Sequence, residues 1–166
     1  MINILNEGVG VFLGVLAGTA VTILVQKFFD HESKKQKERN LKFEFEFNIK
    51  KIDHFLEEIT KYRNAVNGDN LTEYFGYFDL SRVISVTANS MFLDGSLYNL
   101  LDHEDIGKLQ VFFSEFSLNG ENYMNNQLIQ HRNNFDKKKA VNDVNFWEEK
   151  FKSSKKTIEE VLKKIK

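Results

Sequence analysis

The chain contains no proline, although average usage of about 5% would place roughly eight in a sequence of this size, so obligatory helix breakers are missing and long helices are permitted. Cysteine is also absent, which excludes a disulfide framework and thiolate metal sites and suits a reducing compartment. No Lys or Arg lies in Met1 to Glu7, so the basic start of a cleaved signal peptide is missing. No GxSxG, Walker loop, Rossmann fingerprint or cysteine nucleophile occurs, and hydrolase, kinase and dehydrogenase readings have nothing to rest on. Neither an enzyme nor a cofactor is expected.

What is present is aromatic. Among 166 residues there are sixteen phenylalanines, five tyrosines and one tryptophan, enough to build a core despite 28% charged residues. The net charge of −1 hides a gradient. Residues 1–39 sum to +1, 40–135 to −6 and 136–166 to +4, so an acidic middle faces a basic end.

Gly8 to Gln26 is nineteen residues without a formal charge, bounded by Glu7 and Lys27. That is close to the roughly 20 needed to cross a bilayer as helix. Lys27, Lys34, Lys35, Lys37 and Arg39 all follow the span, which places the C-terminal side in the cytoplasm and the short N-terminus outside. Within the span Gly10, Gly14 and Gly18 form a GxxxGxxxG row that continues through Thr22 to Gln26. Missing side chains let backbones approach closely, and Thr or Gln can hydrogen-bond where lipid offers no partner, so the row points to a homo-oligomeric bundle such as a tetramer, with the general abundance of glycine in membrane helices as the competing account. The expected organisation is an anchor over 1–30, a basic juxtamembrane stalk over 31–40 and a helical cytoplasmic domain over 41–166.

In that domain, Leu41 to Ile49 alternates like a strand, yet Leu41, Phe45, Ile49, Ile52, Leu56 and Ile59 recur at helical spacing, and the spacing predicts a helix. Asn67-Gly68-Asp69-Asn70 predicts a reversal. Beyond the aromatic cluster Leu71 to Phe78, either Asp79 or Ser81 is expected to cap a helix ending near Asp94-Gly95. A short helix over Leu97 to Leu101 follows. A helical stretch from Asp102 to about Phe135 is expected to kink or break at Asn119-Gly120. Val144, Trp147, Phe151, Ile158, Val161 and Ile165 mark the apolar face of a last helix. The fold class is all-α, a bundle of four or five helices.

Four histidines, His31, His54, His103 and His131, lack the spacing and carboxylate company of a helix-borne zinc site, and no metal is expected. Glu57-Glu58 and Glu148-Glu149 read as solvated faces beside lysines. Tyr74 and Tyr77, with Arg82, have the ingredients to stack a base and hold a phosphate, with core packing as the competing role. His131, Arg132, Asn133, Lys137 and Lys138 form the densest basic and amide-rich segment, suited to phosphate, anionic lipid or solvent.

The apolar span GVGVFLGVLAGTAVTILVQKFF, the junction KKQKER and the helical remainder resemble the small membrane effectors of bacterial phage defence. Within these, the resemblance is to the type III CRISPR membrane effector that binds cyclic tetra-adenylate. It covers the full length as architecture, and no binding residue of that family is carried over. The resemblance implies a protein of the bacterial inner membrane in which a cytoplasmic domain senses a cyclic oligoadenylate at an oligomer interface and opens or perturbs the membrane. The expected partners are the lipid bilayer, further copies of the chain and that ligand, with no DNA. The competing expectation is a tethered adaptor or prophage-type structural protein that binds a protein partner.

Overall fold

A computed structural model describes the backbone of residues 2–68 and 70–165, and the side chains of residues 15–68 and 70–165. Among them are five α-helices and no strand: α1 (Ile2–Asn67), α2 (Val86–Leu93), α3 (His103–Glu115), α4 (Leu118–Asn133) and α5 (Lys137–Lys164). Short 3-10 turns occupy Leu71–Glu73, Leu80–Arg82 and Ser96–Asn99. The all-helical class follows from the absence of proline and from apolar residues recurring every three or four positions. The chain divides into two units, Met1–Arg39 and Asn40–Lys166.

In the first unit the side chains of α1 from Val15 to Gln36 are exposed on every side of the helix, including Val15, Leu16, Val21, Leu24, Phe28 and Phe29. Thr19 and Thr22 donate their hydroxyls to the carbonyls of Val15 (2.8 Å) and Gly18 (2.9 Å), four residues back. Such bonds to the preceding turn are common for threonine within helices. Among the described residues no helix has a stretch long and apolar enough to cross a membrane. Residues 8–14 of the charge-free run, with the surroundings of Gly10 and Gly14, lie outside the described side chains.

The second unit is built on the C-terminal part of α1. Leu41, Phe45, Ile52, Phe55, Ile59 and Tyr62 are buried, so the alternating stretch is helical and its apolar stripe faces the core. At the centre the Phe55 ring meets those of Phe78 (6.3 Å), Phe116 (6.0 Å) and Phe151 (5.7 Å), joining α1, the loop before α2, the end of α3 and α5. Rings at such separations add about 0.5–1.5 kcal/mol per pair beyond area burial. Along α5, Val144, Trp147, Phe151, Ile158 and Val161 are buried as their spacing predicts, and so is Ile165 just after its end.

Helix α1 ends at Asn67, and the reversal is closed by Gly68 N–H to the Asn64 carbonyl at 2.9 Å. Two expected boundaries are displaced. Neither Asp79 nor Ser81 caps a long helix; after the 3-10 turn at Leu80–Arg82 the chain stays irregular until α2 starts at Val86. The reason is tertiary. Asn48 on α1 uses both ends of its carboxamide on Ile84, accepting from its N–H at 2.9 Å and donating to its carbonyl at 2.7 Å. Asn125 on α4 treats Phe78 in the same way, at 3.0 and 2.8 Å. Each buried amide supplies the donor and acceptor that a helix would otherwise provide, so the irregular backbone stays satisfied.

The second correction concerns Asn119-Gly120, which does not break a helix but lies in the first turn of α4. The break falls at Phe116-Ser117, with the Ser117 hydroxyl accepting from Gly120 N–H at 3.4 Å. A Cβ at Gly120 would lie 2.0 Å from the Glu115 carbonyl oxygen. Glycine here therefore allows two helices to join through a two-residue link, a close approach that no other side chain permits.

The basic end of the chain pairs with the acidic middle inside this unit. Lys155 meets Asp53 at 2.6 Å, Lys150 meets Glu115 at 3.2 Å, and Lys164 bonds Asp105. Much of the charge gradient is thus balanced within the unit.

Candidate functional site

Two of the ligand-contact candidates, Tyr74 and His131, meet around Tyr62. The Tyr62 hydroxyl and His131 Nδ1 share a short hydrogen bond, and their rings lie parallel at 6.2 Å. His131 is buried, and its Nε2 faces Asp143 Oδ2 at 3.0 Å, close enough to pair but without the alignment of a hydrogen bond. The Tyr74 ring lies 5.2 Å from that of Tyr62, and its hydroxyl reaches the Glu58 carbonyl at 3.4 Å. Burial pushes the Tyr62 phenol up, with the Asp143 charge adding to it and half-buried Arg132 opposing. Tyr74 is also raised, by burial and then by Glu58. Both shifts favour the neutral phenol. The arrangement ties α1, α4 and α5 together.

Tyr77 and Arg82 lie in a second cluster around Glu121. The Tyr77 hydroxyl donates to Glu121 Oε1 at 2.6 Å and the Ser81 N–H to Oε2 at 2.8 Å. Burial raises the Glu121 carboxyl, but the bonds from Tyr77 and Ser81 and the Arg82 charge outweigh it and hold the group low. Arg82 itself pairs with Asp79. The aromatic segment splits by direction: Phe78 is fully buried and Tyr74 half-buried, while Tyr77 and Phe75 point outward, Phe75 being 80% exposed.

The remaining candidates sit at the α4–α5 turn. Asn133, Phe135, Lys137 and Lys138 are exposed, and Lys137 Nζ donates to the Asn67 carbonyl at 3.2 Å. Asp136 caps α5 by accepting from Lys139 N–H at 3.1 Å. This turn offers cations and one exposed ring. In the first unit Gly18 has open space around its Cβ position, and Gln26 is exposed. Among the described residues there is no His, Asp or Glu cluster able to hold a metal ion. His103 starts α3, where Asp102 accepts from Asp105 N–H at 2.9 Å, in keeping with a capped helix start.

Concavities lie elsewhere in the unit as well. A groove of about 810 Å³ runs between α3 and α5, with Val111 and Phe146 exposed in it and Lys150 lying 5.4 Å over the Phe146 ring. A smaller cavity of about 370 Å³ lies between α2 and α3, over Ala88, Leu97 and Leu109, with Asn89, Phe92, Gln110 and Phe113 around it. Neither was anticipated from the motifs. The legible signal for the second was an amide three residues before a phenylalanine in both Asn89-Ser-Met-Phe92 and Gln110-Val-Phe-Phe113, since residues at that spacing share a helix face.

No family model, curated protein or solved structure matches the chain.

Proposed function

We propose that this protein is a non-enzymatic, membrane-anchored effector of antiviral signalling in the bacterial inner membrane. Residues 1–30 sit in the bilayer with the N-terminus outside, and copies of the span associate through Gly10, Gly14, Gly18, Thr22 and Gln26. The helical cytoplasmic domain senses a cyclic oligoadenylate, with cyclic tetra-adenylate as the leading ligand, and the bundle then perturbs or opens the membrane.

The observation that carries the reading is apolar exposure along α1. From Val15 to Phe29 the large side chains stand exposed, Leu24 at 67% and Phe29 at 65%, within and just after a run that has no formal charge from Gly8 to Gln26. Apolar area left in water costs about 25 cal/mol per Å², and a helix apolar on all sides requires an apolar surround. Open space at Gly18 supports close packing of a second helix there. The cations and exposed Phe135 at the α4–α5 turn support recognition of a phosphate-bearing, base-bearing ligand. A ligand moves the bundle only by binding one of its states more tightly than another.

The test is dye release from vesicles of bacterial lipid that contain the full-length chain, with and without cyclic tetra-adenylate. Ligand-dependent release is expected. Failure of the chain to float with the vesicles removes the anchor, and membrane insertion without release across the cyclic oligoadenylates removes the sensor.

The α3–α5 groove favours a second reading, a membrane-tethered adaptor whose exposed Val111 and Phe146 receive a protein partner. A stoichiometric protein partner on affinity capture, together with unaltered membrane permeability, would select it.

A further inference from the structure

We infer that α2 and the turn after it form a contact between two copies of this chain, in which Leu93 of each copy enters the α2–α3 cavity of the other. The contact goes beyond the function proposed above, since it needs neither the ligand nor the glycine row. Composition is the first observation. From Val83 to Leu101 there is one charged residue in nineteen, Asp94, where a chain that is 28% charged would carry about five. Depletion of charge marks the core of a protein–protein contact better than apolar content does.

Exposed apolar side chains gather on the same segment. Val86 and Leu93 lie seven residues apart, about two turns of helix, so they share one face of α2, and they are 75% and 85% exposed. Leu93 is the most exposed large apolar side chain among the described residues. Gly95, at a φ of 78°, turns the chain back, so Leu97 is buried in the cavity wall while Leu93 is left outside. Tyr98 continues the exposed face beyond the turn. Single exposed leucines are ordinary on a protein surface, but a charge-free cluster of this kind marks a contact.

The cavity supplies the complement. It measures about 370 Å³, its lining has no charged side chain, and Ala88, Leu97, Ile106 and Leu109 give it buried apolar walls. Knob and hole stand side by side, because Leu93 follows the cavity-lining Asn89 by four residues and Phe92 by one. A two-fold axis beside α2 sets each Leu93 against the other copy's cavity, the self-complementary arrangement that an isologous dimer requires. Charge argues against other occupants. An anionic lipid surface or a nucleic acid would need Lys or Arg, and neither occurs between Val83 and Leu101 or in the cavity lining. A charged protein face would find no counter-ion here, whereas two copies of a neutral face take no ion pair out of water. Asp94 is exposed and accepts from Ser96 N–H at 2.8 Å.

The experiment uses the full-length chain in vesicles of bacterial lipid, where the absence of native cysteine lets one introduced thiol report one contact. Ser90→Cys places the thiol between Val86 and Leu93 on the exposed side of α2, and Asn142→Cys is an exposed comparison on α5. Treated with a short bis-maleimide, Ser90→Cys is expected to give a covalent dimer and Asn142→Cys is not. Adding Leu93→Asp to Ser90→Cys should lower the dimer yield about tenfold or more, the scale of a lost anchor residue. Leu93→Met, which keeps an apolar knob, should retain it. Leu93 is exposed, so both changes leave the fold intact, with circular dichroism as the check. Absence of the Ser90→Cys dimer would overturn the contact and leave association through the span standing. A dimer that survives Leu93→Asp and is lost on adding Gly18→Leu would belong to the span and overturn it as well. The same treatment in expressing cells tests the remaining occupant: an adduct with a different protein in place of the dimer would overturn the second copy.

Discussion

The hydroxyl of Tyr62 on α1 bonds Nδ1 of His131 on α4, joining residues 69 positions apart inside the core. Replacing Tyr62 by Phe keeps the ring and leaves a buried imidazole nitrogen without a partner. An unpaired buried polar group costs about 1–3 kcal/mol, and urea unfolding of Tyr62→Phe should show a loss in that range with the slope unchanged. An unchanged midpoint would mean that the bond adds nothing to the fold.

Helix α2 lacks a side-chain cap of its own: Ser85 makes no capping bond, and the buried Glu44 carboxylate on α1 accepts from Thr87 N–H at 2.7 Å and Ala88 N–H at 3.1 Å. Burial nevertheless raises this carboxyl above its ordinary value, against those two bonds. Glu44→Ala removes a cap and strands two donors, with an expected loss of about 1–3 kcal/mol. Glu44→Gln, which keeps one acceptor, should lose less. Amide exchange of Thr87 and Ala88 should accelerate in the alanine variant, and full protection there would contradict the cap.

Glu148 accepts from Arg63 on α1 and from Lys152 at 2.9 Å on its own helix, and these bonds depress its carboxyl to about 2. A carboxyl whose folded value lies below its unfolded one adds stability that is present above the unfolded value and lost as pH falls through the folded one. Stability should therefore drop between about pH 4.5 and about pH 2. Glu148→Gln should flatten that part of the curve, as read by thermal melts at a series of pH values. A curve of unchanged shape would assign the acid sensitivity to other groups.

Gly120→Ala should be destabilising although alanine is the better helix former, because the new methyl would meet the Glu115 carbonyl at 2.0 Å. Strain of this kind costs about 1–3 kcal/mol. Gly107, whose Cβ position is open, provides the contrast: Gly107→Ala should be neutral or stabilising. Equal melting temperatures for the two variants would show that the Phe116-Ser117 link yields at little cost.

Gly18→Leu should leave the helical domain folded, since nothing lies within 4 Å of the added Cβ. If copies pack through the glycine row, the same change should split the detergent-solubilised assembly, and Gly14→Leu should do likewise, while Val15→Leu is tolerated. Sedimentation of the three variants decides the matter. An intact assembly in Gly18→Leu would place the contact elsewhere and favour a simple tether.

Much of the helical unit was legible from residue order. The burial of Leu41, Phe45, Ile52 and Ile59 along α1, and of Trp147, Phe151 and Ile158 along α5, follows from apolar spacing, because one helix face must leave water. The reversal after Asn67 and the helix start at Asp102 were legible for the same local reason: backbone groups at helix ends need partners from nearby residues. The segment from Tyr74 to Ser85 was not. Its course depends on Asn48 and Asn125, which are remote in sequence and become neighbours only once α1 and α4 have packed. The same holds for Gly120, whose local signature is that of a breaker and whose use is close approach to Glu115. Of the ligand candidates, residue type marked Tyr74 and His131 as aromatic and basic, but folding turned them toward Tyr62. The cavity between α2 and α3 required both helices to be placed before two unremarkable amide–phenylalanine pairs could meet. Helix faces are a property of the local chain, whereas a cavity is a property of the space between elements, which only tertiary packing defines.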